Sequence, residues 1–307
     1  MSDCLGKVQG MKNRKDDDEK IVDDDVSCLI VEVMDELKGN KTGESFEVVS
    51  SGFGKLDNLL GEFKPGTLSV IASYPTVGKT ALAISLAVNM AFGKNPIPIG
   101  YFSLETDRKQ VIQRMISDKT QIGLEKIRSG NLNSDEFKRT MKAVSEMYSH
   151  ADHVYMYDAL DVGIYELSAR IRVLVREHGV KVVFIDNIDL IDADPREETL
   201  NKVSKALKVI AREFLVSIIC TCPIAIRGRN DRLPALSDLR DGGFLDQYAD
   251  AVILIDNPSL RFSGKERDSD FQECRYLRKI IIAKNRNGKV GAFNMHFDES
   301  CCLFVEE

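Results

Sequence analysis

The chain has 307 residues, 43% of them hydrophobic and 29% charged, with a formal net charge of −6. That is enough chain for one large core or two small ones, and the balance excludes a disordered polymer, a collagen-like fibre and a disulfide-stapled miniprotein. Residues 1–50 carry 13 Asp+Glu against 7 Lys+Arg, whereas residues 51–307 carry 35 of each, so the body lacks the basic excess of a protein that coats nucleic acid by charge alone.

Residues 1–20 read as a disordered acidic tail, polar and without periodicity. Residues 21–44 read as a linker in which Val22, Val26, Leu29, Ile30, Val33 and Leu37 recur at helical spacing, closed by Gly39. This amphipathic stripe needs a partner, either its own domain or a neighbouring subunit; periodicity does not choose. Residues 45–307 form the main domain. From Thr67 strands and helices alternate: a strand at 67–72, a helix at 80–92, a strand at 99–104, helices between 108 and 149, and a strand at 154–157. A helix over 163–178 follows, with Ile164, Leu167, Ile171 and Leu174 on one face. Then come a fully apolar strand at 180–185, a helix over 198–214, and strands at 216–220 and 251–255. This rhythm predicts an α/β fold with a mainly parallel sheet covered by helices. The tail changes character: 278–286 and 291–298, joined at Asn287-Gly288, predict a C-terminal β-hairpin, with a last strand near 302–305. The N-terminus lacks the apolar core of a signal peptide and no run of 18 apolar residues occurs, so a cytoplasmic protein without a membrane span is expected. The seven cysteines show no metal-site spacing and read as free thiols.

The strongest chemical signal is Ser73-Tyr74-Pro75-Thr76-Val77-Gly78-Lys79-Thr80, set between an apolar strand and a helix. That is the context of a phosphate-binding P-loop. Backbone N–H groups of Ser73 through Ala81 would cradle the phosphates of ATP. Lys79 would neutralise the β- and γ-phosphates, and the Thr80 hydroxyl would ligate Mg²⁺. Ser73 stands where the general pattern has its first glycine. Glu105 and Asp186 each end an apolar strand, and in a parallel sheet such ends share one ligand-binding edge. Asp186 fits the carboxylate that holds Mg²⁺, and Glu105 the general base that orients the attacking water.

Further stretches give the pattern its specificity: Ser51-Gly52-Phe53-Gly54-Lys55-Leu56-Asp57, Phe102-Ser103-Leu104-Glu105, Arg176-Glu177-His178-Gly179, Phe184-Ile185-Asp186, Ser237-Asp238-Leu239-Arg240 and Lys284-Asn285-Arg286-Asn287-Gly288. With the P-loop, in this order, they make residues 45–307 resemble the C-terminal RecA-like ATPase domain of DnaB-type replicative DNA helicases. The resemblance implies a RecA-like fold, a homohexameric ring, Mg-ATP bound between subunits, and translocation on single-stranded DNA during replication. It also implies a primase or helicase loader as partner. By the same resemblance Lys284 and Arg286 act in the adjacent subunit's site, Arg286 as arginine finger, and Arg240, Asp241 and Gly243 contact DNA phosphates. Read by itself, the hairpin tip would be a solvated charged turn. Arg227, Arg229 and Arg232 read equally as channel-facing or as a solvated loop.

Two departures qualify the resemblance. Where the family has a Ser-Gln-Leu-Asn-Arg-like stretch whose Gln senses the γ-phosphate, this chain has Cys222-Pro223-Ile224-Ala225-Ile226. Neither Pro223 nor Ile226 offers a side-chain hydrogen bond, and Thr221 is the nearest replacement donor. The family's N-terminal primase-binding domain is also not matched. These departures favour an alternative, a nucleotide-binding paralogue serving as adaptor or helicase-binding module. A recombinase-like or clock-type ATPase is disfavoured by the Lys-x-Arg-Asn-Gly hairpin.

Overall fold

Three runs of apolar sequence, Leu68–Ser73 (β1), Val182–Asp186 (β5) and Ala251–Asp256 (β8), are buried at every position. Continuous burial requires cover on both faces. The computed structural model describes residues 48–159, 162–192, 199–224, 232–239, 244–261 and 276–306. The acidic tail and the amphipathic stripe from Val22 to Leu37 lie outside them.

The remaining strands of the main sheet are Ile99–Ser103 (β2), Val154–Asp158 (β3), Ser217–Pro223 (β7), Leu277–Asn285 (β9), Gly291–Asp298 (β10) and Leu303–Glu306 (β11). Val162–Gly163 (β4) and Ile191–Asp192 (β6) pair separately. The sheet order is β11-β10-β9-β8-β1-β7-β5-β2-β3. From β8 to β3 every pairing is parallel; from β8 to β11 every pairing is antiparallel. The mainly parallel sheet and C-terminal hairpin expected from the sequence are thus one continuous surface.

Alternation along the strands splits the core in two. Ile71, Val182 and Phe184 face one side, where helix Lys79–Phe92 (α2) lies with Val111 and Met115 of Arg108–Thr120 (α3). Val70, Ala72, Val183 and Ile185 face the other, against Leu167 and Ile171 of Ile164–His178 (α6) and Leu207 and Ile210 of Thr199–Phe214 (α7). Leu124–Ser129 (α4) and Ser134–Tyr148 (α5) complete the predicted helical segment after β2. Ten of α2's residues are buried, so it is apolar nearly all round, as a helix enclosed by sheet and neighbours must be.

A short helix, Gly54–Leu60 (α1), shows why two of the sequence stretches matter. Gly52 adopts φ +79°, and a Cβ there would stand 2.7 Å from Asn89 of α2. At the other end of α1, the Asn285 side-chain amide donates to the carbonyls of Leu59 and Leu60, 3.1 Å each, satisfying helix-end acceptors. Glu306 closes the start by accepting from the backbone N–H of Lys55 at 2.7 Å.

One buried acid lies behind α2. Asp118 accepts from the Ser85 hydroxyl at 2.5 Å, and burial pushes its carboxyl up to about 6. A raised folded-state pKa gives stability that is complete below the unfolded pKa and is lost as pH rises through the folded one. Asp118→Asn is therefore expected to gain on the wild type by roughly 1–2 kcal/mol between pH 5 and pH 7.5. Urea unfolding of both proteins at the two pH values checks this, and a difference independent of pH would refute it.

Candidate nucleotide-binding site

The loop between β1 and α2 has the shape its sequence predicts. Thr76 and Gly78 adopt φ +66° and +124°, and Gly78 takes the cap position of α2. A glycine cap offers no side chain to the first-turn N–H groups of Lys79, Thr80 and Ala81, so they remain available to an anion. Ser73 ends β1 fully buried, Pro75 and Thr76 are exposed, Val77 is buried, and Lys79 and Thr80 are half-buried.

Both predicted carboxylates reach this loop. Asp186 ends β5, and its Oδ1 accepts from the Thr80 hydroxyl at 3.2 Å. It also accepts from the Thr221 hydroxyl at 2.5 Å. Its Oδ2 is buried and has no hydrogen-bond partner among the described residues. Burial raises the Asp186 pKa, opposed by the Thr221 and Thr80 hydrogen bonds and by the Lys79 charge; Glu105 adds to the rise. A buried, half-satisfied carboxylate beside a P-loop threonine fits a Mg²⁺ ion, which takes few protein ligands and shares phosphate oxygens. Glu105 is exposed and accepts from the Asn187 side-chain amide at 2.9 Å. The backbone N–H of Leu104 donates to the Asp186 carbonyl at 2.7 Å, locking the ends of β2 and β5 side by side.

Arg286 and Lys284 lie elsewhere. Asn285 pairs with Ala251, which pairs with Ser69 at the start of β1. The hairpin end of β9 therefore sits at the sheet edge opposite the P-loop. The strand rise over Ser69 to Ser73 separates the two edges by about 13 Å. Arg286 instead donates to the Gln247 carbonyl at 2.7 Å and lies 3.6 Å from Asp250. Arg240, Asp241 and Gly243 lie outside the described residues, as do Arg227 and Arg229. Arg232 is ion-paired with the buried Asp238, which gives it a structural role that the loop reading did not contain.

The family model for the DnaB-like helicase C-terminal domain matches residues 48–306. The chain belongs to that family. It is 30% identical over 282 residues to the replicative DNA helicase DnaC of Bacillus subtilis, covering 90% of this chain and 59% of that protein. It is 32% identical over 261 residues to the replicative DNA helicase DnaB of Treponema pallidum, covering 84% and 56%. The chain thus spans less than two thirds of the length of these relatives. Among solved structures, a helicase-type ATPase domain superposes with a TM-score of 0.80 at 26% identity, covering 95% of this chain and all of that one. A DnaB-like replicative helicase described with its primase interactions superposes at 0.78 and 25% identity, covering 99% and 70%. The fold is therefore RecA-like. Among the described residues no helix is long and apolar enough to cross a membrane.

Against DnaB-type sequences, the departure at Pro223 takes a definite form. β7 runs past the predicted Cys220 to Pro223, which is in register with Ser73 at the mouth of the P-loop. The backbone N–H of Ile224 donates to the Ser73 carbonyl at 2.9 Å, and Ile224 bridges Leu239, the residue before Arg240. Two site residues escape a reading of the sequence in their actual roles. Asn187 carries no motif signal beyond adjacency to Asp186. Thr221, a candidate γ-phosphate donor by position, has its hydroxyl bonded to the Asp186 carboxylate.

Proposed function

We propose that this chain is the ATP-hydrolysing motor of a DnaB-type helicase, assembling as a homohexameric ring that moves single-stranded DNA through its pore. One observation carries the reading. The P-loop, Asp186 and Glu105 occupy one edge of the sheet, and Arg286 and Lys284 the opposite edge, so the two cations can serve only a neighbouring copy's nucleotide.

The chain's own residues have separable tasks. The N–H groups of the P-loop and α2 bind the phosphates, with Lys79 supplying charge. Thr80 and the free oxygen of Asp186 would hold Mg²⁺, which when bound offsets charge on the β- and γ-phosphates. Glu105, held by Asn187, orients a water and takes its proton. Arg286 of a neighbouring copy stabilises charge on the transferring phosphoryl group, which makes hydrolysis depend on assembly. Arg240, Asp241 and Gly243 are proposed to meet DNA phosphates, with a primase or a helicase loader as the protein partner.

Pro223 favours a second reading, a nucleotide-binding paralogue that acts as an adaptor with hydrolysis uncoupled from DNA. The deciding measurement is steady-state ATPase across a titration of single-stranded DNA, on protein of measured oligomeric state, beside a DNA-binding assay. With Pro223 and Ile226 in place of hydrogen-bonding side chains, stimulation below about tenfold, or 1.4 kcal/mol of coupling, is expected. Larger stimulation would remove the main support for the adaptor reading. Absence of any ATPase in a verified hexamer would remove the motor reading.

A further inference from the structure

Strand β9 places Arg278, Ile280 and Ile282 on one buried face, directed into the core that α2 covers. An aliphatic residue is what such a face calls for at every position. Arg278 is instead the largest fully buried side chain among the described residues, with 0% of its surface exposed. A guanidinium in that place is costly unless its donors are engaged.

Its engagements point to the phosphate loop. Nε donates to the carbonyl of Val77 at 3.1 Å. One terminal nitrogen donates to the Leu277 carbonyl at 3.0 Å, and the other pairs with Glu299 at 2.9 Å. The guanidinium carbon lies 4.8 Å from the centre of the Phe297 ring, which itself packs on Phe304. These two rings floor the next residue of the loop: a Cβ on Gly78 would come within 3.0 Å of Phe304 and 3.6 Å of Phe297. Arg278, Phe297 and Phe304 thus form a rigid bed under the Val77–Gly78 peptide.

The direction of that peptide has a consequence. In a trans peptide the carbonyl and the following N–H point in opposite directions. Arg278 draws the Val77 carbonyl into the core, which turns the Gly78 N–H outward, to the side where the first-turn N–H groups of α2 converge. An unheld carbonyl could rotate outward and present a partial negative charge to a phosphate. We infer that Arg278 is a positioning residue for nucleotide binding: it fixes the Val77–Gly78 peptide in the anion-accepting orientation through the Val77 carbonyl, without touching the nucleotide. This rests on the P-loop being a nucleotide site, as proposed above.

The test is equilibrium binding of mant-ATP with Mg²⁺ and thermal unfolding without nucleotide, on the full chain; the protein has no tryptophan to interfere with the probe. Arg278→Met keeps length and apolar volume and removes the donors. It is expected to weaken mant-ATP binding by about tenfold or more, the scale of a hydrogen bond from a charged donor. Its unfolding midpoint should change little, because an apolar side chain replaces a buried ion. Arg278→Lys, with one ammonium for several acceptors, should fall between the two. Wild-type affinity in Arg278→Met overturns the inference, as does weakened binding accompanied by a matching loss of stability in both variants. If Arg278→Met does not fold, Arg278→Lys decides: weaker binding at an unchanged midpoint supports the role, and unchanged binding overturns it. Lys79→Ala separates the two levels. Should the wild type bind, Lys79→Ala fail to bind and Arg278→Met bind normally, only the positioning role is lost. Should the wild type itself not bind, the nucleotide site and the role fall together.

Discussion

Glu105→Gln is expected to bind Mg-ATP much as the wild type does and to hydrolyse it at least a hundredfold more slowly. The substitution preserves shape and the contact to Asn187, because the glutamine carbonyl can accept the side-chain amide bond that Glu105 accepts at 2.9 Å. What it removes is a basic oxygen. Losing a general base lowers turnover by about 10²–10⁴-fold, or roughly 3–5 kcal/mol of barrier. The carboxylate of Glu105 is held by Asn187 and not by the phosphate loop, so affinity should move by less than about threefold; an effect on kcat alone marks a group acting in the transition state. Lys79→Ala should show the opposite pattern, with binding itself lost, because the phosphate charge then has no side-chain counterion in the loop. Single-turnover hydrolysis and mant-ATP titration on both variants provide the comparison. Near-wild-type turnover by Glu105→Gln would show that another group activates the water.

The candidate site is legible in the sequence where chemistry follows from contiguous residues. The loop from Ser73 to Thr80 needs only a strand before it and a helix after it, and both are signalled by apolar patterning. Glu105 and Asp186 come to the loop as expected because a parallel sheet gathers its strand ends on one edge. What escapes is set by register between strands far apart in sequence. Thr221 meets Asp186 because β7 lies between β1 and β5, with Cys220 opposite Ile185. Pro223 disguises the end of β7, since proline normally breaks a strand. It is tolerated there because the pairing with β5 has already ended, and the next N–H, from Ile224, bonds to Ser73. Arg278 contradicts the alternation of its own strand, and only the position of Val77 explains it. The helix α1 has just two buried apolar residues, Leu56 and Leu60, too few to show a period.

Thr221→Val should raise the Mg²⁺ concentration needed for half-maximal mant-ATP binding by about tenfold, and Thr221→Ser should restore it. The reason lies in how Asp186 is held. Its carboxylate is buried, with Oδ2 unpartnered among the described residues and Oδ1 fixed by two hydroxyls, Thr221 at 2.5 Å and Thr80 at 3.2 Å. Valine matches threonine in shape and removes the shorter bond. A hydrogen bond to a charged group is worth roughly 1.5–3 kcal/mol, which corresponds to tenfold or somewhat more in an equilibrium constant. Without that donor the carboxylate is poorer at staying ionised and is free to rotate, and both weaken it as a cation ligand. Serine keeps the hydroxyl and loses only a methyl group, so recovery by Thr221→Ser assigns the effect to the hydrogen bond and not to packing. The position also bears on coupling. Two residues beyond Thr221, Pro223 lies beside the P-loop, and Ile224 bridges the residue preceding Arg240. A change in the occupancy of Asp186 is thereby connected to the segment proposed to hold DNA through one continuous strand. If DNA stimulates the ATPase of the wild type at all, Thr221→Val should reduce that stimulation more than Thr221→Ser does. Equal stimulation in the three proteins would show that the strand from Thr221 to Ile224 does not carry the signal.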